Sequence, residues 1–212
     1  MIRTSSAVRR RAAAATTAAL AAAVLSACGA EPPHQGAAAV VGGERIPIAT
    51  VDARVAAVRD AAAGQDGGPR AERAGLARRT VAELVLDRVI ARAMADRGLT
   101  VSDAEVADAR GGDAKLLGGE DALSRELLLK QSVPAEGIDA FYRQQLSIRK
   151  LASAAGQDAR TPTGDAAVRQ ALVAAGSALS IEVNPRYGHW DPKQIGLTET
   201  VEDWLPRNRT LY

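Results

Sequence analysis

Residues 84–106 read LVLDRVIARAMADRGLTVSDAEV. Two helices and the joint between them are written in this stretch. Leu84, Val85, Ile90 and Met94 fall at helical spacing, and the same pattern carried back through Thr80 and Leu76 predicts a helix from about Ala71 to Arg97. Gly98 stands where a helix takes a residue of positive φ after its last turn. Ser102-Asp103-Ala104-Glu105 is a capping box: the serine hydroxyl accepts from the glutamate N–H while the glutamate carboxylate accepts from the serine N–H. A second helix therefore starts at Ser102, and Gly111-Gly112 is expected to end it.

Working outward, more helices follow on the C-terminal side. One holds Leu123, Leu127 and Leu128. Another is expected to start with Pro134 in its first turn and reach about Ala155, carrying Ile138, Phe141, Tyr142, Leu146 and Leu151 on or near its apolar side. After Thr161-Pro162-Thr163 a last helix is expected over Asp165–Ala178. Leu179–Val183 then alternates apolar and polar residues, which is strand periodicity.

On the N-terminal side, Gly64–Pro69 reads as a loop. A helix over about Val51–Ala63 precedes it, capped by Thr50, with Val51, Val55 and Val58 on one face. Before that, Ala38–Val41 is a short apolar strand, turned by Gly42-Gly43 and followed by Ile46-Pro47-Ile48. Short strands at opposite ends of a helical chain are unstable alone. Ala38–Val41 is therefore expected to pair with Leu179–Val183 and bring the two ends of the domain together. The fold class predicted is mainly α: a bundle of about five to six helices with a small two-stranded β element. Alanine, arginine and leucine dominate and aromatics make up 3% of the chain; this favours helices with a thin aliphatic core.

The first 27 residues read differently. Arg3, Arg9, Arg10 and Arg11 precede an uncharged, Ala-rich run to Ala27, shorter and less apolar than the ~20 residues a membrane-spanning helix needs. That is the order of a signal peptide, and the general secretory route is expected. Leu25-Ser26-Ala27-Cys28 resembles the bacterial lipobox, so Cys28 is expected to carry diacylglycerol and palmitate-like acyl chains. A second acyl chain gives the anchor its stability, because one chain holds only marginally. Residues 28–37, with Pro32-Pro33 and two glycines, read as a tether. The expected location is the extracytoplasmic face of the cell membrane.

The leader takes four of the 27 basic residues, so 23 remain against 25 acidic ones and the mature chain is near neutral. Nothing in this balance argues for nucleic-acid binding, which needs a clustered basic face. With the single cysteine acylated and only His34 and His189 to offer imidazole, neither a metal site nor a cofactor is expected. Asp191 near His189 lacks a nucleophile, so no catalytic residue is assigned and the chain is not expected to be an enzyme. The Asn208-Arg209-Thr210 sequon carries no weight in a bacterial lipoprotein.

Three segments resemble the N-terminal chaperone domain of SurA-like and PrsA-like foldases: Ala39–Ile48 (AVVGGERIPI), Leu84–Val106, and Gln131–Leu151 with its Tyr142-Arg143-Gln144-Gln145-Leu146. The resemblance spans roughly residues 38–155 and implies a domain over 38–183 that shelters unfolded chains. A parvulin isomerase usually follows in such proteins, but residues 156–212 are too few for a module of ~100 residues. Prolyl isomerisation is not expected. The implied activity is ATP-independent binding of unfolded secreted or envelope proteins, with the oligomeric state open. The alternative is a structural or adaptor lipoprotein that docks one envelope partner.

The tail, residues 184–212, holds Tyr187, Trp190, Trp204 and Tyr212. Such rings offer large contact area at low entropic cost, and Tyr187, Trp190, Phe141 and Tyr142 are the candidate client contacts. The competing and favoured reading of Tyr187 and Trp190 is that they fold back over the thin core.

Overall fold

The computed structural model describes residues 36–63 and 75–198. The segments expected as signal peptide, lipobox and tether up to Gln35, with Cys28, the loop expected at Gly64–Pro69, the helix start expected at Ala71, and Trp204, Asn208 and Tyr212 lie outside the described residues.

Among the described residues, the chain opens with β1 (Ala37–Val41) and β2 (Glu44–Pro47). They form a hairpin closed by Gly42 and Gly43, at φ 58° and 86°; positive φ at both central positions is what a two-residue turn needs to match strand twist. Six helices follow: α1 (Ile48–Ala63), α2 (Leu76–Ala95), α3 (Asp103–Leu117), α4 (Glu120–Gln131), α5 (Ile138–Ala154) and α6 (Pro162–Ala178). Then come β3 (Ile181–Val183), a 3₁₀ turn at Pro185–Tyr187, and a hairpin of β4 (His189–Asp191) and β5 (Gly196–Thr198).

The ends of the domain meet as the strand patterns require. β3 runs antiparallel to β1, with Val40 opposite Glu182 and Val41 opposite Ile181. The sheet has order β2-β1-β3, three strands rather than two, because Ile46 turns back beside β1 and buries its side chain. The β4–β5 hairpin is a second small sheet in the segment read as tail.

Helix boundaries follow local chemistry, with four departures. α1 starts at Ile48 rather than Val51, so Thr50 lies inside its first turn instead of capping it. α2 closes on a Schellman motif in which the Leu99 N–H donates to Met94 and the Gly98 N–H to Ala95. The capping box at Ser102 is formed on both sides. α3, however, runs through Gly111-Gly112 to Leu117 and stops at Gly118, φ 94°. Ala114 is buried beyond the glycine pair, and this packing offsets a helix-interior cost of about 1 kcal/mol per glycine. Pro134 precedes a separate 3₁₀ turn, Ala135–Gly137, and α5 starts only at Ile138, where the first buried side chain falls. α6 begins earlier than expected, at Pro162, because Thr161 Oγ1 accepts from the Gly164 N–H and the proline suits the first turn.

The core divides into three apolar clusters. Val41, Ile46, Val51, Val55, Val81, Val85 and Tyr187 make the first, between the sheet, α1 and the front of α2. In the second, the back of α2 (Val89, Ile90, Met94) meets α5 and α6 through Leu151, Val168 and Leu172. The third joins α3, α4 and the front of α5 through Val106, Ala114, Leu123, Leu127, Ile138 and Tyr142. The largest fully buried side chains are Leu123, Ile138, Leu151 and four valines, with no ring among them. Each such side chain contributes roughly 1.5–3 kcal/mol. No helix among the described residues is long and apolar enough to cross a membrane.

Candidate functional site

The third cluster holds two of the four candidate contact residues. Phe141 and Tyr142 stand edge to face, ring centroids 5.6 Å apart at 84°. Tyr142 is 3% exposed and points into the cluster, donating from its hydroxyl to Asp113 Oδ2 on α3 at 2.7 Å. Burial, then this acceptor, push the phenol up. Phe141 is half-buried beside it. Tyr142 thus shows almost no surface, and Phe141 shows part of one.

Polar side chains hold α3 against α4 and α5 around this cluster. Arg110 donates to Glu120 Oε2 at 2.9 Å and to Asp139 Oδ1 at 3.0 Å. Arg143 donates to Asp103 Oδ1 at 2.8 Å and to the Val101 carbonyl at 3.2 Å. Lys150 donates to the Thr100 carbonyl at 2.7 Å and pairs with Glu105 Oε1 at 2.6 Å. The Lys150 ammonium, then the Ser102 cap, hold the Glu105 carboxyl down at about 2. Asp103, Val106, Arg110, Glu120, Asp139 and Arg143 line a depression of about 210 Å³ over the seam. Its charges are already paired with one another. The arginine pairs are solvated, and exposed pairs are worth roughly 0.2–1 kcal/mol each.

The other two candidates lie beyond β3. Tyr187 is 5% exposed within the first cluster, with the Arg186 guanidinium 5.0 Å over its ring. Trp190 is half-buried on β4, packs against the first and second clusters, and leaves Nε1 buried without a hydrogen-bond partner. Both rings fold back over the helical core. His189, beside Trp190, is exposed. Arg78 on α2 donates to the Leu197 carbonyl at 2.8 Å and ties the hairpin to the helices.

A polar junction lies where α1, α2 and α5 meet. Gln144 Nε2 donates to Asp87 Oδ1 at 3.0 Å, and Arg54 Nη1 lies 3.9 Å from Asp87 Oδ2. Burial raises the Asp87 carboxyl, and Arg54 pulls the other way. Among the described residues no group of three His, Cys, Asp or Glu side chains is placed to hold a metal.

Exposed apolar residues were not legible beforehand. Leu116 is 85% exposed, Leu117 43% and Leu129 42%. The first two end α3, which the sequence reading stopped at Gly111-Gly112. Leu116 and Leu117 are chain neighbours and Leu129 lies on α4; exposed leucines in such number are ordinary on protein surfaces. Leu25, Ser26, Ala27 and Cys28 lie outside the described residues.

A family model for the SurA-like N-terminal domain matches residues 7–121, more than half of the chain. The match covers β1, β2 and α1–α3 and ends at the start of α4. Two of the three resembling segments, Ala39–Ile48 and Leu84–Val106, lie inside it; Gln131–Leu151 lies beyond it. No curated protein and no solved structure matches the chain.

Proposed function

This chain belongs to the SurA-like N-terminal domain family, and from that premise we propose that it is an ATP-independent, lipid-anchored chaperone for unfolded secreted or envelope proteins. The observation that carries the reading is the family match itself, since the domain type is chaperone-like and non-catalytic. Transient apolar contacts would lower the free concentration of aggregation-prone chains without any energy source. Cys28, acylated after cleavage behind Leu25-Ser26-Ala27, would hold the domain on the outer face of the cell membrane and raise its local concentration near emerging chains. Metal, nucleotide and prolyl isomerase chemistry play no part in this reading.

The thin core supports it. Val and Ala supply most of the first two clusters, and the third is bounded largely by solvated ion pairs. Side chains this small bury less apolar area each than Leu, Ile or Phe would.

The test is binding of a permanently unfolded, reduced and carboxymethylated protein, followed by fluorescence anisotropy. Weak saturable binding of several unrelated unfolded chains is expected, with none for the same proteins when folded. Binding to no unfolded chain, with a single folded envelope protein recovered tightly, would favour an adaptor.

A further inference from the structure

We infer that α3 and α4 form an arm, latched to α5 by salt-screened ion pairs, whose opening uncovers the apolar surface that takes the client. The second half of this inference rests on the chaperone reading; the first half does not.

Three observations carry it. First, few side chains anchor the arm: α3 commits only Val106 and Ala114 to the interior, and α4 only Leu123 and Leu127, with Leu123 the deepest of them. By contrast α2 buries seven side chains, six of them in two clusters. Second, the latch is polar and wet. Arg110 with Asp139, Arg143 with Asp103, Lys150 with Glu105 and Tyr142 with Asp113 close the seam, while Arg110 with Glu120 ties α3 to α4 within the arm. Their charged groups are solvated, Asp103 being 95% exposed, so salt weakens them as the Debye length falls from about 30 Å at 0.01 M to about 3 Å at 1 M, the scale of the contacts themselves. Third, the arm's roots are short non-helical joints. Leu99–Ser102 leads into α3, and Ser132–Pro134 leads out of α4, with Ser132 itself at φ 58°. Gly111 and Gly112 further weaken α3 from within.

Opening exchanges charge pairs for hydrated charges and exposes one face. That face carries Ile138, Tyr142, Phe141 and Leu146 on α5, and Val106, Leu123 and Leu127 on the arm. It supplies what the three exposed leucines do not: an apolar surface between two walls. Its rim is charged with both signs through Asp139, Arg143 and Arg110. An extended, apolar, weakly charged peptide segment is the occupant that fits such a slot, because the walls are apolar and would desolvate the charges of a strongly charged segment without pairing them.

Hydrogen exchange of the full-length chain in lipid nanodiscs separates the two halves. Amides of α3 and α4 should exchange as one group, roughly tenfold or more faster than those of Val81–Val89 in α2. The gap should widen between low and high salt. Arg110→Gln with Arg143→Gln should accelerate the arm again by roughly tenfold while α2 and α6 stay unchanged. Exchange of α3 and α4 in step with α2, insensitive to salt, would overturn the arm.

The client half is read separately. In a Cys28→Ser background, Asp103→Cys and Arg143→Cys would be joined by a short bis-maleimide. Loss of binding to a carboxymethylated unfolded protein on joining, and its return when a cleavable linker is cut, is the expected result. Undiminished binding by the joined form would overturn the slot. If no form binds any unfolded chain, the chaperone reading fails, and the exchange experiment alone decides the arm.

Discussion

Asn184 donates its side-chain amide to the carbonyl of Ala37 at 3.3 Å, joining two residues 147 positions apart. Beside this bond the Asn184 N–H donates to Ala38, and Asn184 Oδ1 accepts from the Arg186 N–H. One residue therefore ends β3, caps the turn before Tyr187 and fastens the last segment to the first strand. Replacing Asn184 with Ala removes both side-chain bonds but keeps the backbone one. The expected cost is about 1–2 kcal/mol, seen as a lower denaturant midpoint with unchanged slope. Asn184→Asp should recover only the turn, since a carboxylate cannot donate to Ala37.

Two buried glycines of α6 should respond in opposite directions to alanine. A Cβ on Gly176 would rest 3.6 Å from Trp190 Nε1 and 3.7 Å from Val89 Cγ1, ordinary packing distances. Gly176→Ala should stabilise by roughly 0.5–1 kcal/mol through helix propensity. A Cβ on Gly164 would collide with the Asp158 carbonyl, which also accepts from Thr161. Gly164→Ala should destabilise by roughly 1–3 kcal/mol. Thermal melts of the pair decide both, and equal effects would contradict the packing described.

Asp87 is held above the ordinary carboxylate range by burial. Its ionised form is thus less favourable in the fold than in the unfolded chain. Stability from this group should rise as pH falls through its folded pKa. Asp87→Asn keeps an acceptor for Gln144 and removes the charge. Because the side chain is 40% exposed, water screens the effect, and a gain of no more than about 0.5 kcal/mol is expected at neutral pH. A loss above about 1 kcal/mol would show that the Arg54 pair outweighs burial.

Glu105 behaves in the opposite sense. Its folded pKa of about 2 lies below the ordinary 4.5, so its contribution is complete above 4.5 and is lost as pH falls from there towards 2. Protection of α3 should decline over that window. Lys150→Met removes the first cause of the depression and should flatten the decline. An unchanged pH profile in that variant would place the acid sensitivity elsewhere.

The sequence yields its structure where a local chemical rule is strong. The capping box at Ser102 and the glycine pair after Val41 fixed their elements without help from packing. The pairing of Ala38–Val41 with Leu179–Val183 followed because the sequence reading offers no other strand for either, although β1 pairs with β2 as well. Gly111-Gly112 misled because glycine propensity is a weak local preference, and the burial of Ala114 beyond it is a tertiary fact. The β4–β5 hairpin escaped notice because His189–Asp191 and Gly196–Thr198 are too short for periodicity to register.

The candidate site was less legible than the fold. Phe141 and Tyr142 were singled out correctly as aromatic and helical, but adjacent residues on one helix face in different directions. Only the structure shows Tyr142 turned inward to Asp113 while Phe141 keeps a partly open face. The ion pairs of Arg110 and Arg143 span 29 and 40 positions, and no spacing rule reaches so far. Tyr187 and Trp190 were rightly weighed as core cover, because a core short of aromatics has room at its edge for them.

The most direct test of the chaperone account is light scattering. A denatured secreted enzyme is diluted into buffer with and without the chain from Gly29 onward, and the experiment is repeated with a second, unrelated client. The account predicts suppression of aggregation near equimolar ratio for both. Scattering that rises unchanged at several-fold excess, for both clients, would contradict it.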